Sequence, residues 1–400
     1  MFFLGSGRIS PMNSGRTIFA QLMDFVPACE FRRCVERYHG NHKVTNFFCG
    51  DQFLCRAFAQ LTYRKSLRDI ETCLRTLGEK LYHLGIRGRV SRSTLADANE
   101  TRDWRIYADL ARGLIAPARA LYAGEPFGVE LQETVYALDC STIDLCLSLF
   151  PWARYRRLNA AVKMHTLLDL RGSIPSFIAV LPAKIHKIHI LDQLVPEPGA
   201  LYLMDRAYLD FTRLYTLTQC LAFFIIRSRK DFAFYRIASS PIDAATGVRC
   251  DQTIRLKSFI PAHGYSERLR RICYVDAETE KRLTFLTNNF LFPALTVAQL
   301  YKCRWQIELF FKWIKQHLRI ERFYGLSENA VKTPIWIAIS VYLLLALAKK
   351  HLRLDHSLYS ISQILSVSLF QKTKLLQALT ESEQQTHEPK SCNQFALFNL

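Results

Sequence analysis

Twelve cysteines are present but no Cys-x-x-Cys pair, which excludes a zinc ribbon and a secreted disulfide framework and leaves reduced core thiols as the expectation. Cys29, Cys34, His39 and His42 lie close together, yet the loop between the Cys pair and the His pair is far shorter than the about 12 residues of a Cys2His2 finger. The longest apolar run, 335–348, contains Ser340 and Tyr342 and is shorter than the roughly 20 residues a membrane span needs. A buried core helix, and no membrane partner, is the expectation. The opening Met-Phe-Phe-Leu-Gly-Ser-Gly-Arg lacks the basic-then-apolar order of a signal peptide. Met12-Asn13-Ser14-Gly15 reads as an equally good start, so residues 1–11 are expected to be a non-essential extension. Negative charge is also scarce, with 35 acidic residues against 53 Lys plus Arg. That imbalance favours a polyanionic partner, nucleic acid before an anionic membrane.

What is present suggests two or three domains by the length prior. Residues 12–125 show helical apolar periodicity punctuated by arginines. Within them Leu67–Leu74, a turn containing Gly85 and Gly88, and Ser91-Arg92-Ser93-Thr94-Leu95 follow the order of a helix-turn-helix. Ser91 or Ser93 would cap the second helix, which would present Arg92, Ser93, Thr94 and Asn99 to a DNA groove. A helical bundle with an Arg-rich solvated face fits the same pattern. At Gly124–Gly128 the texture changes to strands: Val135–Leu138 ending on Asp139, Ile143–Leu149 as its hairpin partner, then His165–Leu170 and Ile174–Leu181. Helix and strand alternate next: helix Ile185–Leu194, strand Leu201–Met204 ending on Asp205, helix Phe211–Thr218, strand Leu221–Ile226. Three meander strands followed by this alternation, with acids at strand ends, describe a ribonuclease H-like core in an α/β protein. Four β-rich segments between Phe232 and Leu286 read as an insertion, about 228–295, with its own small sheet. The catalytic region would thus span 126–330. Helices follow over 331–379, and a polar, frayed tail over 380–400.

On a helical wheel the stretch from Tyr301 places Tyr301, Arg304, Glu308, Lys312, Lys315, Arg319 and Arg322 in roughly one quadrant. Leu300, Ile307, Phe310, Phe311, Ile314 and Leu318 form the neighbouring stripe, which a core-facing helix needs in any case. One acid among five bases suits a metal-binding carboxylate flanked by groups that hold a polyanion; a solvated face with clustered charge is the alternative. Asp139 and Asp205 each follow an apolar strand, where an Asp commonly caps a turn through its own backbone. Two Asp and one Glu are hard oxygen ligands suited to Mg²⁺ or Mn²⁺, and a pair of such ions serves in-line phosphoryl transfer. The three are so far apart in sequence that only a fold can bring them together. Trp152-Ala153-Arg154-Tyr155-Arg156-Arg157, leading to Lys163, interleaves bases and aromatics as backbone-contacting surfaces do, and as a solvated hairpin loop also can.

The pattern Tyr301-x2-Arg304-x3-Glu308-x6-Lys315 resembles the signature of the DDE transposases of bacterial insertion sequences, in the branch called insertion sequence four. Asp205-Arg206-Ala207-Tyr208 is similar to that family's second-Asp motif, commonly Asp-Arg-Gly-Tyr, and Asp139 sits like the first Asp. Phe58–Thr62 and Ser66–Ile70 look like its helical N-terminal domain. The likeness covers about 14–350. It implies a ribonuclease H-like core with an inserted β-rich segment, preceded by a helical DNA-binding domain. It implies Asp139, Asp205 and Glu308 as catalytic residues holding two Mg²⁺ or Mn²⁺ ions. Tyr301, Arg304 and Lys315 would contact DNA, with Arg206 and Tyr208 in support. Arg92, Arg156, Arg157 and Lys163 are further candidate DNA contacts from the residues alone. Expected partners are transposon ends and target DNA, with a homodimer in the complex, in the bacterial cytoplasm at the nucleoid. Three departures stand out: Cys140 where Ser or Thr is usual, Ala207 in place of Gly, and no Trp within 206–300 to receive a flipped base. Phe232, Phe234 and Tyr235 are weak substitutes for that Trp, which speaks against hairpin formation. A ribonuclease H-like nuclease that only hydrolyses, and a domesticated DNA-binding protein, are the competing expectations.

Overall fold

The computed structural model describes residues 15–78, 80–145, 150–156, 159–228, 233–257, 264–317 and 325–380. The chain divides into two compact units, Met1–Leu114 with Ile314–Leu400, and Ile115–Trp313.

The first unit is helical. Helices α1 (Ile18–Met23), α2 (Ala28–Arg37), α3 (Cys49–Leu61), α4 (Leu67–Leu77), α5 (Lys80–His83), α6 (Arg92–Thr101) and the start of α7 (Arg105–Tyr122) belong to it, with α11 (Glu328–His351) and α12 (Leu358–Ser368). Polar side chains start these helices by satisfying free backbone N–H groups. Ser66 accepts from Asp69 N, Ser91 from Thr94 N and Ser327 from Ala330 N. By length and composition α11 could cross a membrane, but its apolar window is wholly buried inside the protein, against α1, α3, α6 and α12. Apolar residues all around a helix require this kind of central position.

The second unit is built on one mixed sheet of ten strands. They are β1 (Val135–Leu145), β2 (Arg154–Arg156), β3 (Asn159–Asp169), β4 (Ile174–Pro182), β5 (Leu201–Met204), β6 (Phe223–Arg227), β7 (Phe234–Ser239), β8 (Val248–Leu256), β9 (Leu269–Val275) and β10 (Arg282–Thr287). Their order is β2-β3-β1-β5-β6-β10-β9-β8-β7, with β4 also paired to β3. The β1-β3-β4 meander is antiparallel, whereas β1, β5 and β6 run parallel. Helix α8 (Phe211–Gln219), opened by Asp210 accepting from Arg213 N, covers one face through Leu214 and Leu217. There they meet Tyr136, Leu138, Tyr202, Met204, Phe224 and Ile226, the alternate residues that a pleated strand turns to one side.

Four sequence expectations are corrected here. The segment read as a hairpin partner, Ile143–Leu149, continues β1 as far as Leu145, residues 146–149 lying outside the described ones; the true partner is β3. The small polar residues Cys140, Ser141 and Thr142 read as a turn, yet they stay in the ladder opposite His165, Met164 and Lys163. The inserted strands form no separate sheet, because β10 pairs with β6 and carries β9, β8 and β7 onward from the core. The helix expected at Ile185–Leu194 is a 3-10 turn, Lys187–Gln193. Finally, the stretch from Tyr301 to Lys315 is two helices, α9 (Ala294–Cys303) and α10 (Gln306–His317). Between them Arg304 N bonds Tyr301 O, Trp305 N bonds Lys302 O and Ile307 N bonds Arg304 O. These i to i+3 bonds tighten the chain locally, a break that a helical wheel cannot register.

Candidate active site

The ladder between β1 and β5 ends with Leu138 opposite Met204, and that between β5 and β6 with Met204 opposite Ile226. Asp139 and Asp205 are the next residues on neighbouring parallel strands, which lie about 4.8 Å apart. They stand just beyond the carboxyl end of the parallel β1–β5 ladder, the side on which parallel sheets place their ligands. Asp139 is not at the end of its own strand, as the sequence suggested; it sits within β1, opposite Thr166 of β3. Only its β5 side is released.

Each Asp uses one oxygen locally. Asp139 Oδ1 accepts from Cys140 N at 2.8 Å, and Asp205 Oδ1 accepts from Ala207 N at 3.0 Å in a turn leading to Tyr208. Bases reach both acids as well. Lys187 Nζ is 2.9 Å from Asp205 Oδ2 and 3.8 Å from Asp139 Oδ1. Arg304, at the break between α9 and α10, donates from Nη1 to Asp139 Oδ2 at 2.9 Å and from Nη2 to Glu308 Oε1 at 2.7 Å. Three acids therefore share two bases. Burial pushes the Asp139 carboxyl above its ordinary value, against the pull of the Cys140 N–H, Lys187 and Arg304. Burial opposes the charge of Arg304, while Tyr301, Asp139 and Glu308 outweigh it and hold its pKa high. Glu308 is more than half exposed, whereas Asp139 and Arg304 are largely covered.

The other expected residues divide by position. Tyr301 is buried, its ring on Phe285 of β10 with centroids 4.7 Å apart and the Arg304 guanidinium 5.8 Å from its own ring. Tyr208 is fully buried with the Lys187 ammonium 4.7 Å from its ring centroid, so it underlies the site instead of facing solvent. Arg206 is exposed beside Asp205. Lys163, half-buried on β3, donates to Ile185 O at 3.2 Å. Lys315 is half-buried, two turns beyond Glu308 on α10. Arg92 is exposed at the start of α6, but Asn99, expected to reach DNA from the same helix, is wholly buried and accepts from Gln52 Nε2 at 3.3 Å. One turn of helix moved it onto the core face. Arg156 lies on β2, its side chain outside the described residues, as is Arg157 altogether. Arg319 and Arg322 fall outside them as well.

Two bases were missed. Lys187 opens the 3-10 turn ahead of β5, and nothing in Lys184-Ile185-His186-Lys187 marks it. Arg227 follows Ile226 of β6 just as the acids follow Leu138 and Met204; burial raises the Tyr301 pKa, and Arg304 and then Arg227 act against that rise. The strand-end signal that singled out the acids applies equally to it.

Among the described residues no group of three or more His, Cys, Asp and Glu side chains is gathered as a metal cluster, because bases stand between the acids. The donors nonetheless fit a hard cation. They are oxygens only, two belong to carboxylates that one ammonium reaches, and the cluster keeps a surplus of negative charge.

Comparison with known proteins bears on the family of the chain. Residues 130–344 match the family model described as a transposase DDE domain, and residues 14–87 match one described as a domain of unknown function. The chain is 30% identical over 285 residues to a protein of Sinorhizobium fredii named as a transposase, covering 70% of this chain and 77% of that one. It is 28% identical over 215 residues to a protein of Geobacillus stearothermophilus named as the transposase of an insertion sequence element, covering 52% of this chain and 55% of that one. A cryo-EM structure of piggyBac transposase in a synaptic complex with hairpin DNA is similar at a TM-score of 0.47 and 10% identity, covering 95% of this chain and 84% of that one.

Proposed function

Since the chain belongs to the DDE transposases, we propose that Asp139, Asp205 and Glu308 are the catalytic carboxylates of a DNA transposition reaction. The enzyme cuts DNA at the ends of an insertion sequence and joins them to target DNA. The observation that carries the residue assignment is the placement of Asp139 and Asp205 side by side beyond the β1–β5 ladder, with Arg304 spanning Asp139 and Glu308. The strand order around them, a β1-β3-β4 meander followed by parallel β5 and β6, supports the ribonuclease H-like reading of the core. The spacing of Tyr301, Arg304, Glu308 and Lys315 supports the insertion-sequence-four branch.

The family uses divalent metal ions, and Asp139, Asp205 and Glu308 would hold them here. Two Mg²⁺ or Mn²⁺ ions, when bound, supply activation of the attacking oxygen and stabilisation of the leaving oxygen in an in-line displacement. The protein orients the reaction. Arg304 pins Asp139 and Glu308 with one planar guanidinium, which suits it to pass to a phosphate when the acids take another cation. Tyr301 fixes Arg304 from beneath. Lys315 and the exposed Arg206 extend the basic surface for phosphates, as do Lys163 on β3, Arg156 on β2 and Arg157 in this reading. Residues 12–125 form the DNA-binding domain, where exposed Arg92 begins α6 for groove or backbone contact. A homodimer on paired ends, acting at the nucleoid, completes it.

The test is strand transfer by the purified protein with Mg²⁺ and end DNA. Joined products in a target plasmid are expected, and hydrolysis without joining would refute transposition. Loss of cleavage but not of DNA binding in Asp139→Ala, Asp205→Ala and Glu308→Ala would uphold the assignment of the carboxylates.

A further inference from the structure

Lys187 occupies a place that neither its sequence context nor the carboxylate motifs explain. It opens the 3-10 turn Lys187–Gln193, whose first N–H groups are partly met by His186 Nδ1 accepting from Ile188 N at 3.3 Å. Its side chain is 19% exposed. The ammonium is held from three directions: 2.9 Å to Asp205 Oδ2, 3.8 Å to Asp139 Oδ1 and 4.7 Å to the ring centroid of buried Tyr208. Arg304 takes a different part, tying the second oxygen of Asp139 to Glu308. Lys187 is thus the base that spans the two aspartates.

Two neighbouring carboxylates, one of them largely buried, repel each other unless a cation stands with them. We propose that Lys187 is the internal counter-cation of the aspartate pair: it holds Asp139 and Asp205 together before a divalent ion loads, yields them to that ion, and turns its freed ammonium to a DNA phosphate. The proposal rests on reading both aspartates as metal ligands. An ion that enters alone must displace an ammonium from two carboxylates and an aromatic face, which weakens its binding. DNA supplies the displaced ammonium with a new anion. Metal and DNA therefore bind cooperatively, and by linkage each tightens the other by the same factor. Lysine suits this exchange, being a compact charge on a flexible stem that can change partners without a fixed fork geometry.

The test measures Mn²⁺ binding to the full chain by electron paramagnetic resonance of the free ion, with and without a duplex carrying the element end. Lys187→Met keeps an unbranched stem against Tyr208 and removes the charge. It should bind Mn²⁺ roughly tenfold more tightly than wild type without DNA, the ratio that about 1.4 kcal/mol produces, and DNA should tighten its Mn²⁺ binding less. Lys187→Arg keeps the charge but brings a fixed fork, and should restore only part of the wild-type dependence on DNA. Asp139→Asn and Asp205→Asn should lose Mn²⁺ binding. If they lose it while Lys187→Met binds no more tightly than wild type, the counter-cation role is overturned and the metal assignment stands. Wild-type Mn²⁺ binding by both Asn variants would overturn the metal assignment, and the proposal with it. Thermal melting of Lys187→Met and of Lys187→Gln separates altered binding from altered folding.

Discussion

Two groups of charge in the same sheet are built in opposite ways. On β8 and β9, Arg270 and Asp251 are both buried and close on each other, Nε to Oδ1 at 2.9 Å and Nη2 to Oδ2 at 2.6 Å. Arg270 also donates from Nη1 to Phe292 O at 2.6 Å. One base answers one acid, and the fork geometry uses both carboxylate oxygens. Beyond the β1–β5 ladder the bases are shared instead, Arg304 between Asp139 and Glu308, and Lys187 between Asp205 and Asp139. A closed pair has nothing left to offer a ligand, so its value is structural. A shared set of three acids and two bases keeps excess negative charge.

The comparison breaks first at catalysis. Alanine at Asp139, Asp205 or Glu308 should lower end cleavage by about a thousandfold or more, about 4 kcal/mol of barrier, while gel-shift affinity for end DNA changes little. Near-wild-type cleavage in any of the three would remove that residue from the site. Stability should show the reverse ranking. Asp251→Ala leaves Arg270 buried and unpaired and should cost about 3 to 5 kcal/mol in denaturant titration, whereas Asp205→Ala, which relieves crowding among acids, should cost less than about 1 kcal/mol. Equal losses would erase the distinction between closed and shared charge.

A third test concerns His165, on β3 opposite Cys140 of β1 and buried, with neither ring nitrogen hydrogen-bonded among the described residues. Burial, then Lys163 and Lys187, push its pKa from 6.5 down to about 4. The folded protein thus binds this proton less readily than the unfolded chain. The stabilisation is fully present above the unfolded value and is lost as pH falls from about 6.5 towards 4, by up to about 3 kcal/mol. His165→Phe should flatten that part of the stability profile; an unchanged slope would place the titration elsewhere. The smallest effect is expected in the helical unit. Ser91→Ala removes the cap on α6 and should cost about 1 kcal/mol, with end cleavage per folded molecule unchanged.

Much of the frame was legible because it depends on local patterns. Apolar runs marked β5, β6 and β9, the capping serine marked α6, and the long apolar run marked the buried α11. Elements that depend on distant partners were read less well. Nothing local tells whether the strands of the inserted segment close on themselves or add to an existing edge, because either arrangement satisfies their backbone groups. The length of β1 was misjudged for the same reason, since its partner β3 lies beyond a further turn. Asn99 was placed on the wrong side because assigning a helix face requires knowing what packs beside it.

The sequence alone determined the chemistry on offer: a basic chain, three hard oxygen acids after apolar segments and on an amphipathic helix, and a Tyr-Arg-Glu-Lys spacing that resembled one family. Tertiary structure decided how that chemistry is arranged. Register between β1 and β5 put Asp139 beside Asp205, the break after Cys303 aimed Arg304 at two acids, and the turn at Lys187 brought in a base that no motif announces. Spacing along the chain can fix which side chains share a helix face, but the energy of a charge depends on its neighbours in space. Those neighbours come from strands and turns far apart in sequence.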